Sequence, residues 1–296
     1  VTPELTVETR ELHRETAVNI HRQALADLRQ QLSLSALWQP MPAALQARLD
    51  ELARLHPGVV AERLFADETD KPWQRFLVFV AEHLPVGGGL AYQFPGEYRA
   101  DLALLDSGLR EIGAHRVADQ CLAPTLRLVD VFGFHLVSLD IRQNSDFHDA
   151  ALAAMLAAAG VPDGADFAHW PEERRLAYLT KELDRPTTLG LDHLTLPPQA
   201  ANVMELYRRL AEHLRTFGRS GLGSTIVSMT RQSSDLLATY LFQREAGLFV
   251  PDAEGRPCYL LPVVPLFETR EDLEESPRVV AEFLDLPVVH RSLPWQ

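Results

Sequence analysis

The chain has 296 residues, 46% hydrophobic and 23% charged, which is enough apolar material for a large core and excludes a disordered chain. Its 41 acidic and 28 basic residues give a formal net charge of −13. With no Lys/Arg run or basic aromatic stripe to offset it, that charge argues against nucleic acid and anionic membranes as partners. Cys121 and Cys258 stand alone, which excludes a disulfide framework or zinc knuckle and fits a reducing compartment, and no apolar run is long enough to span a bilayer.

The N-terminus, Val1-Thr2-Pro3-Glu4, carries no secretory signal and lacks Met, so a fragment or a processed chain is expected. Thr2 with Pro3 reads as a cap with proline at the first helical position. Leu12, Val18, Leu25, Leu28 and Leu32 then recur at helical spacing. A second helix runs from about Pro42 with Leu45, Leu49, Leu52 and Leu55 on one face, and Pro57-Gly58 stops it. A third follows Pro72, from Trp73 to Leu84, before a flexible break at Gly87-Gly88-Gly89. Further helices are predicted over Tyr98–Ile112 and Val117–Val131.

After Gly133 the pattern changes. Phe134–Ile141, Ser224–Met229 and Leu261–Phe267 have strand character, the last weakened by its prolines. Helices are predicted between and after them, over Phe147–Ala159, Glu172–Leu183, Ala200–Phe217, Ser234–Ala246 and Glu271–Leu284. Alternating strands and helices imply a parallel sheet with covering helices. The predicted organisation is therefore α/β but mostly helical, with a helical region over 1–132 and strand–helix units over 133–296.

Side chains alternate across a strand. In the first strand Phe134, Leu136, Ser138, Asp140 and Arg142 share one face, which turns polar toward its C-terminal end. Leu266 and Glu268 share a face at the end of the third. Active sites of β/α folds lie at the C-terminal ends of strands, so Arg142, Ser228 and Glu268 are predicted to gather there. Arginine grips phosphate or carboxylate with a planar fork of donors, and magnesium takes one or two carboxylates plus substrate phosphate and water. The competing reading is a structural ion pair of Arg142 with Asp140 or Glu268. His135 reads as a packed core residue and His148 as structural. His13 and His21 lack the spacing of a zinc helix, Gly221-Leu222-Gly223 reads as a loop, and Ser233 or Ser234 reads as a helix cap.

Three blocks, in order, resemble the phosphoenolpyruvate carboxylase family: Phe132–Ser145 containing Asp140-Ile141-Arg142-Gln143, Ser224–Met229 with Ser234-Asp235-Leu236-Leu237, and Val263–Thr269. The resemblance covers nearly all of this chain but only a central portion of the family's sequence. It implies a partial TIM-like β/α barrel over 133–296, forming one structural unit with 1–132 in a longer enzyme, and a cytoplasmic, homo-oligomeric lyase that forms oxaloacetate and phosphate from phosphoenolpyruvate and bicarbonate with Mg²⁺ or Mn²⁺. By resemblance, Arg142 contacts substrate, Leu266 lines the pocket, Ser228 and Met229 lie nearby, and Glu268 ligates the metal. The family's TAHPT histidine segment, its GYSDSxKD carboxylate and its FHGRGG loop do not occur here. No catalytic residue is therefore assigned within the chain, and the isolated chain is expected to be inactive. Two other readings stay open: another enolate-forming barrel enzyme using the same arginine and glutamate, and a non-catalytic scaffold that binds a partner protein.

Overall fold

The computed structural model describes residues 7–32, 34, 39–56, 71–85 and 91–296. The cap read at Thr2-Pro3, the stop at Pro57-Gly58 and the break at Gly87-Gly88-Gly89 lie outside these residues. The chain divides into two compact units, 1–138 and 139–296.

In the first unit every described regular element is helical. Helix α1 spans Val7–Gln31, α2 Ala43–Leu55, α3 Pro72–Glu82 and α4 Pro95–Glu111. The helical spacing of Leu25, Leu28, Leu45, Leu49 and Leu52 places them in one core with Trp73, Phe76 and Tyr98. Leu12, counted in the same stripe, is exposed instead. Helix α5, His115–Val117, continues through a π-helical turn at Ala118–Leu122 into α6, Ala123–Phe132. The wider turn accommodates Pro124, which has no N–H to give an α-helical ladder and whose ring crowds the preceding turn. Gly133, at φ 48°, closes α6, and a Cβ there would lie 2.6 Å from the His135 ring. The Gly133 carbonyl meets the buried His21 ring, Nε2 to oxygen 2.6 Å.

The first predicted strand begins too early. Residues 134–138 form a turn in which His135 and Leu136 N–H groups both donate to the Phe132 carbonyl, and Leu136 has φ 68°. Phe134 is buried against Tyr98 and His21, so its alternation with His135 is not that of a strand, and His135 is half-buried in the turn.

The second unit opens with β1, Leu139–Asn144, followed by α7, Ser145–Ala158. Then come α8, Glu172–Leu183, α9, Pro198–Phe217, β2, Leu222–Ser228, and α10, Ser233–Glu245. Strands β3, Phe249–Pro251, and β4, Pro257–Tyr259, form an antiparallel hairpin that the sequence reading missed, its prolines masking the strands. The unit ends with β5, Val263–Leu266, α11, Arg270–Asp285, and α12, Pro287–Ser292. Leu222 and Gly223, read as loop, belong to β2.

Strands β1, β2 and β5 form one parallel sheet with β2 in the middle. The described residues therefore make an α/β unit with a small sheet, and do not close a barrel. Ile141, Thr225 and Val227 point into the core with α7 and α10. The other face carries two cross-strand rows: Arg142, Ile226 and Val264, then Asn144, Ser228 and Leu266. An irregularity in the β1–β2 register lies between Leu139 and Ile141. There the Asp140 carboxylate accepts the Ser224 N–H at 2.8 Å, directly over Gly223. A side chain at 223 would collide with that oxygen. Gly223→Ala is expected to cost about 1–2 kcal/mol, one lost exposed hydrogen bond plus steric rearrangement, read by denaturant unfolding. An unchanged midpoint would mean that Asp140 is not pinned.

Candidate active site

Sheet register brings the predicted residues to one rim. Arg142 lies one row below the end of the sheet, and its long side chain reaches toward Glu268, two residues past β5. The guanidinium stands 3.5 Å from one Glu268 oxygen; the other accepts the Met229 N–H at 3.2 Å. Ser228 and Leu266 are Cα partners in the row above Arg142, and the Ser228 hydroxyl donates to the Gln143 carbonyl at 3.3 Å. Arg142, Ser228, Met229, Leu266 and Glu268 are thus all brought together. Asp140, the other proposed partner of Arg142, is engaged by Ser224 instead.

Arg142 is 55% exposed and Glu268 38%. An ion pair this open, at 3.5 Å, contributes about 0–1 kcal/mol. It is therefore a poor structural device, and Arg142 stays free to exchange Glu268 for an anion. Glu268→Gln is expected to shift the unfolding free energy by less than about 0.5 kcal/mol, checked by thermal unfolding. A loss several times larger would restore the structural reading of the pair.

Glu268 offers a hard oxygen to a divalent cation, but one of its oxygens already faces a backbone donor and the other an arginine. Among the described residues no group of three His, Cys, Asp or Glu is placed to hold a metal ion. These residues alone do not fit a resident magnesium site.

A polar network missed in the sequence lies beneath the rim. Asp235, 1% exposed, accepts the N–H groups of Arg231 and Gln232 on one oxygen, at 2.9 and 3.2 Å, and Arg175 on the other at 3.1 Å. Arg175 also donates to Asp149 at 2.5 Å. Burial outweighs the attraction of Arg175 and pushes the Asp149 carboxyl up to about 6. Arg231 reaches Asp146 at 2.7 Å, and the Ser145 hydroxyl donates to the Met229 carbonyl at 2.7 Å. One sequence signal was available: Arg175 shares the buried stripe of α8 with Leu179 and Leu183, four and eight residues on. A charge in an apolar stripe implies a buried partner. Gln232, not Ser233 or Ser234, sits at the N-cap of α10; Ser234 hydrogen-bonds Glu172, and Ser233 bonds the Val279 carbonyl and Glu282. His148 is fully buried with both ring nitrogens unpartnered, 5.2 Å from the Phe242 ring, and burial pulls its pKa down to about 4.

A family model described as phosphoenolpyruvate carboxylase matches residues 1–296. The chain is 35% identical over 274 residues to the phosphoenolpyruvate carboxylase of Ralstonia nicotianae, covering 87% of this chain and 27% of that protein. It is 35% identical over 282 residues to that of Nocardia farcinica, covering 89% and 29%. Against that of Roseiflexus castenholzii it is 32% identical over 312 aligned positions, covering 99% and 32%. The chain thus spans under a third of the length of these relatives. No described helix is long and apolar enough to cross a membrane.

Proposed function

We propose, from the premise that this chain belongs to the phosphoenolpyruvate carboxylase family, that its strand rim is one part of a site converting phosphoenolpyruvate and bicarbonate to oxaloacetate and phosphate. One observation carries the reading: two residues 126 positions apart, a guanidinium and a carboxylate, meet at the C-terminal edge of one parallel sheet and stay open to solvent.

In this reaction a bicarbonate oxygen attacks phosphorus and the enol oxygen leaves with its electron pair. Carboxyphosphate then releases carbon dioxide and phosphate, and the enolate carbon takes up the carbon dioxide. Arg142 suits the first step, because a planar fork of donors fixes a phosphate or carboxylate in line and offsets its charge. Ile226, Val264 and Leu266 form an apolar strip along the same face. Such a strip shields an enolate from water, whose proton would divert it to pyruvate. Ser228 and Met229 border that strip. Glu268 is the carboxylate of this rim that could face Mg²⁺ or Mn²⁺, and a complete metal site needs further oxygen ligands beside it. No step here is routed through the metal, and no residue of this chain is assigned as catalytic acid or base. The same reading includes a barrel continued beyond this sheet, a homo-oligomer and a cytoplasmic setting; β1 and β5 are both edges of the described sheet, which suits further strand pairing.

The test is isotopic. The product of the natural gene at its full length is supplied with phosphoenolpyruvate and ¹⁸O-labelled bicarbonate. Oxaloacetate and phosphate carrying one bicarbonate oxygen are expected. Unlabelled phosphate would rule out attack by bicarbonate on phosphorus. The 296-residue chain alone is expected to form no oxaloacetate above background.

A further inference from the structure

We infer that Asp235 is a positioning residue: it fixes the turn after β2 so that the Met229 N–H holds the Glu268 carboxylate at the rim. This rests on the reading of Arg142 and Glu268 as site residues and deepens it. Met229 has φ 56°, a left-handed conformation that a residue of its kind rarely adopts. Such a conformation persists only where its surroundings over-determine it.

The surroundings here come from three strand ends. From α10, Asp235 takes the last two N–H groups of the turn, those of Arg231 and Gln232. From the first turn of α7, directly after β1, Ser145 holds the Met229 carbonyl. After β5, Glu268 takes the Met229 N–H. Arg175 then ties Asp235 to Asp149, one turn along α7. The helix after Arg142 and the turn that holds Glu268 are therefore fastened to one buried guanidinium.

An ordinary helix cap does not need this. Asp235, third residue of α10, closes a capping box on the Gln232 N–H, but such a box needs only that one bond, whereas Asp235 also takes the Arg231 N–H and the buried Arg175. A buried ion triad is also a poor route to stability, because desolvation offsets its attraction. What it supplies is a fixed position for a turn that a neutral cap would leave less constrained.

Amide hydrogen exchange on this chain tests the inference, with Met229 read against Val227 inside β2. In Asp235→Asn, Met229 is expected to exchange roughly tenfold faster relative to Val227 than in the wild type. Ser145→Ala, which removes a single hydroxyl, is expected to move the ratio the same way and serves if Asp235→Asn fails to fold. Thr239→Val, buried in the same helix but bonded only to the Leu236 carbonyl, is expected to leave the ratio alone. An unchanged ratio in Ser145→Ala, or an equal change in Thr239→Val, would overturn the inference. No substrate enters this measurement, so its failure is distinct from failure of the isotope experiment.

Discussion

Arg142→Ala in the full-length enzyme is expected to lower kcat/KM for phosphoenolpyruvate by about 10²–10³, the loss of roughly 3–4 kcal/mol that removing one preorganised charged donor produces. The fold has little stake in the change, since the side chain is half exposed and its partner Glu268 lies at 3.5 Å. Arg142→Lys is expected to recover only a small part, because an ammonium cannot present two parallel donors to one phosphate or carboxylate. The division between constants locates the contact. If the guanidinium grips ground state and transition state equally, KM rises and kcat holds. If it answers charge that develops as the phosphoryl group transfers, kcat falls. Retention of kcat/KM within about threefold by Arg142→Ala would remove Arg142 from the site, given that a merely exposed arginine contributes that little.

The convergence of Arg142 and Glu268 at one rim was legible because strand ends are. Asp140 and Arg142 follow the apolar Leu136 on one face of the predicted strand, and Glu268 follows Leu266, each at a point where a parallel sheet collects its functional groups, and the register places Arg142 and Glu268 together. The start of the first strand was not legible. Phe134 to Ser138 have the apolar, β-prone composition of a strand, yet Phe134 is claimed by an aromatic cluster and Leu136 by a positive φ. Tertiary contacts overrode a local pattern. The hairpin of β3 and β4 was hidden by Pro251 and Pro257, which face each other beside its turn and weaken the strand signal of both short strands. The network under the rim was unreadable for a different reason. Asp149, Arg175 and Asp235 are single charges in three separate helices, and only Arg175 betrays itself by spacing. Which carboxylates it meets is a property of helix packing.

The same packing sets the response to acid. His148 is neutral in the fold, held there by burial, with a pKa of about 4 against 6.5 for a free histidine. A histidine whose folded pKa is depressed leaves stability intact above the unfolded value. Stability is lost as pH falls from about 6.5 toward 4, because the unfolded chain takes up the proton first. Each tenfold difference in proton affinity is about 1.4 kcal/mol, so the full loss is about 3 kcal/mol. Its neighbour Asp149 pulls the other way. A carboxyl raised to about 6 binds its proton more tightly folded than unfolded, and stabilises the fold as pH drops through that value. The net acid profile of the wild type therefore understates both, and a difference measurement is needed. Relative to wild type, His148→Met is expected to gain more than about 2 kcal/mol between pH 7.5 and pH 4.5, a few degrees or more in Tm. At pH 7.5 the substitution is expected to be close to neutral. It removes two ring nitrogens that lack hydrogen-bond partners and leaves a side chain able to fill the space beside Phe242. Parallel pH profiles for the two proteins would show that His148 takes up its proton in the folded state as readily as out of it. The ring would then have to lie beside a carboxylate or water, and not sealed against Phe242.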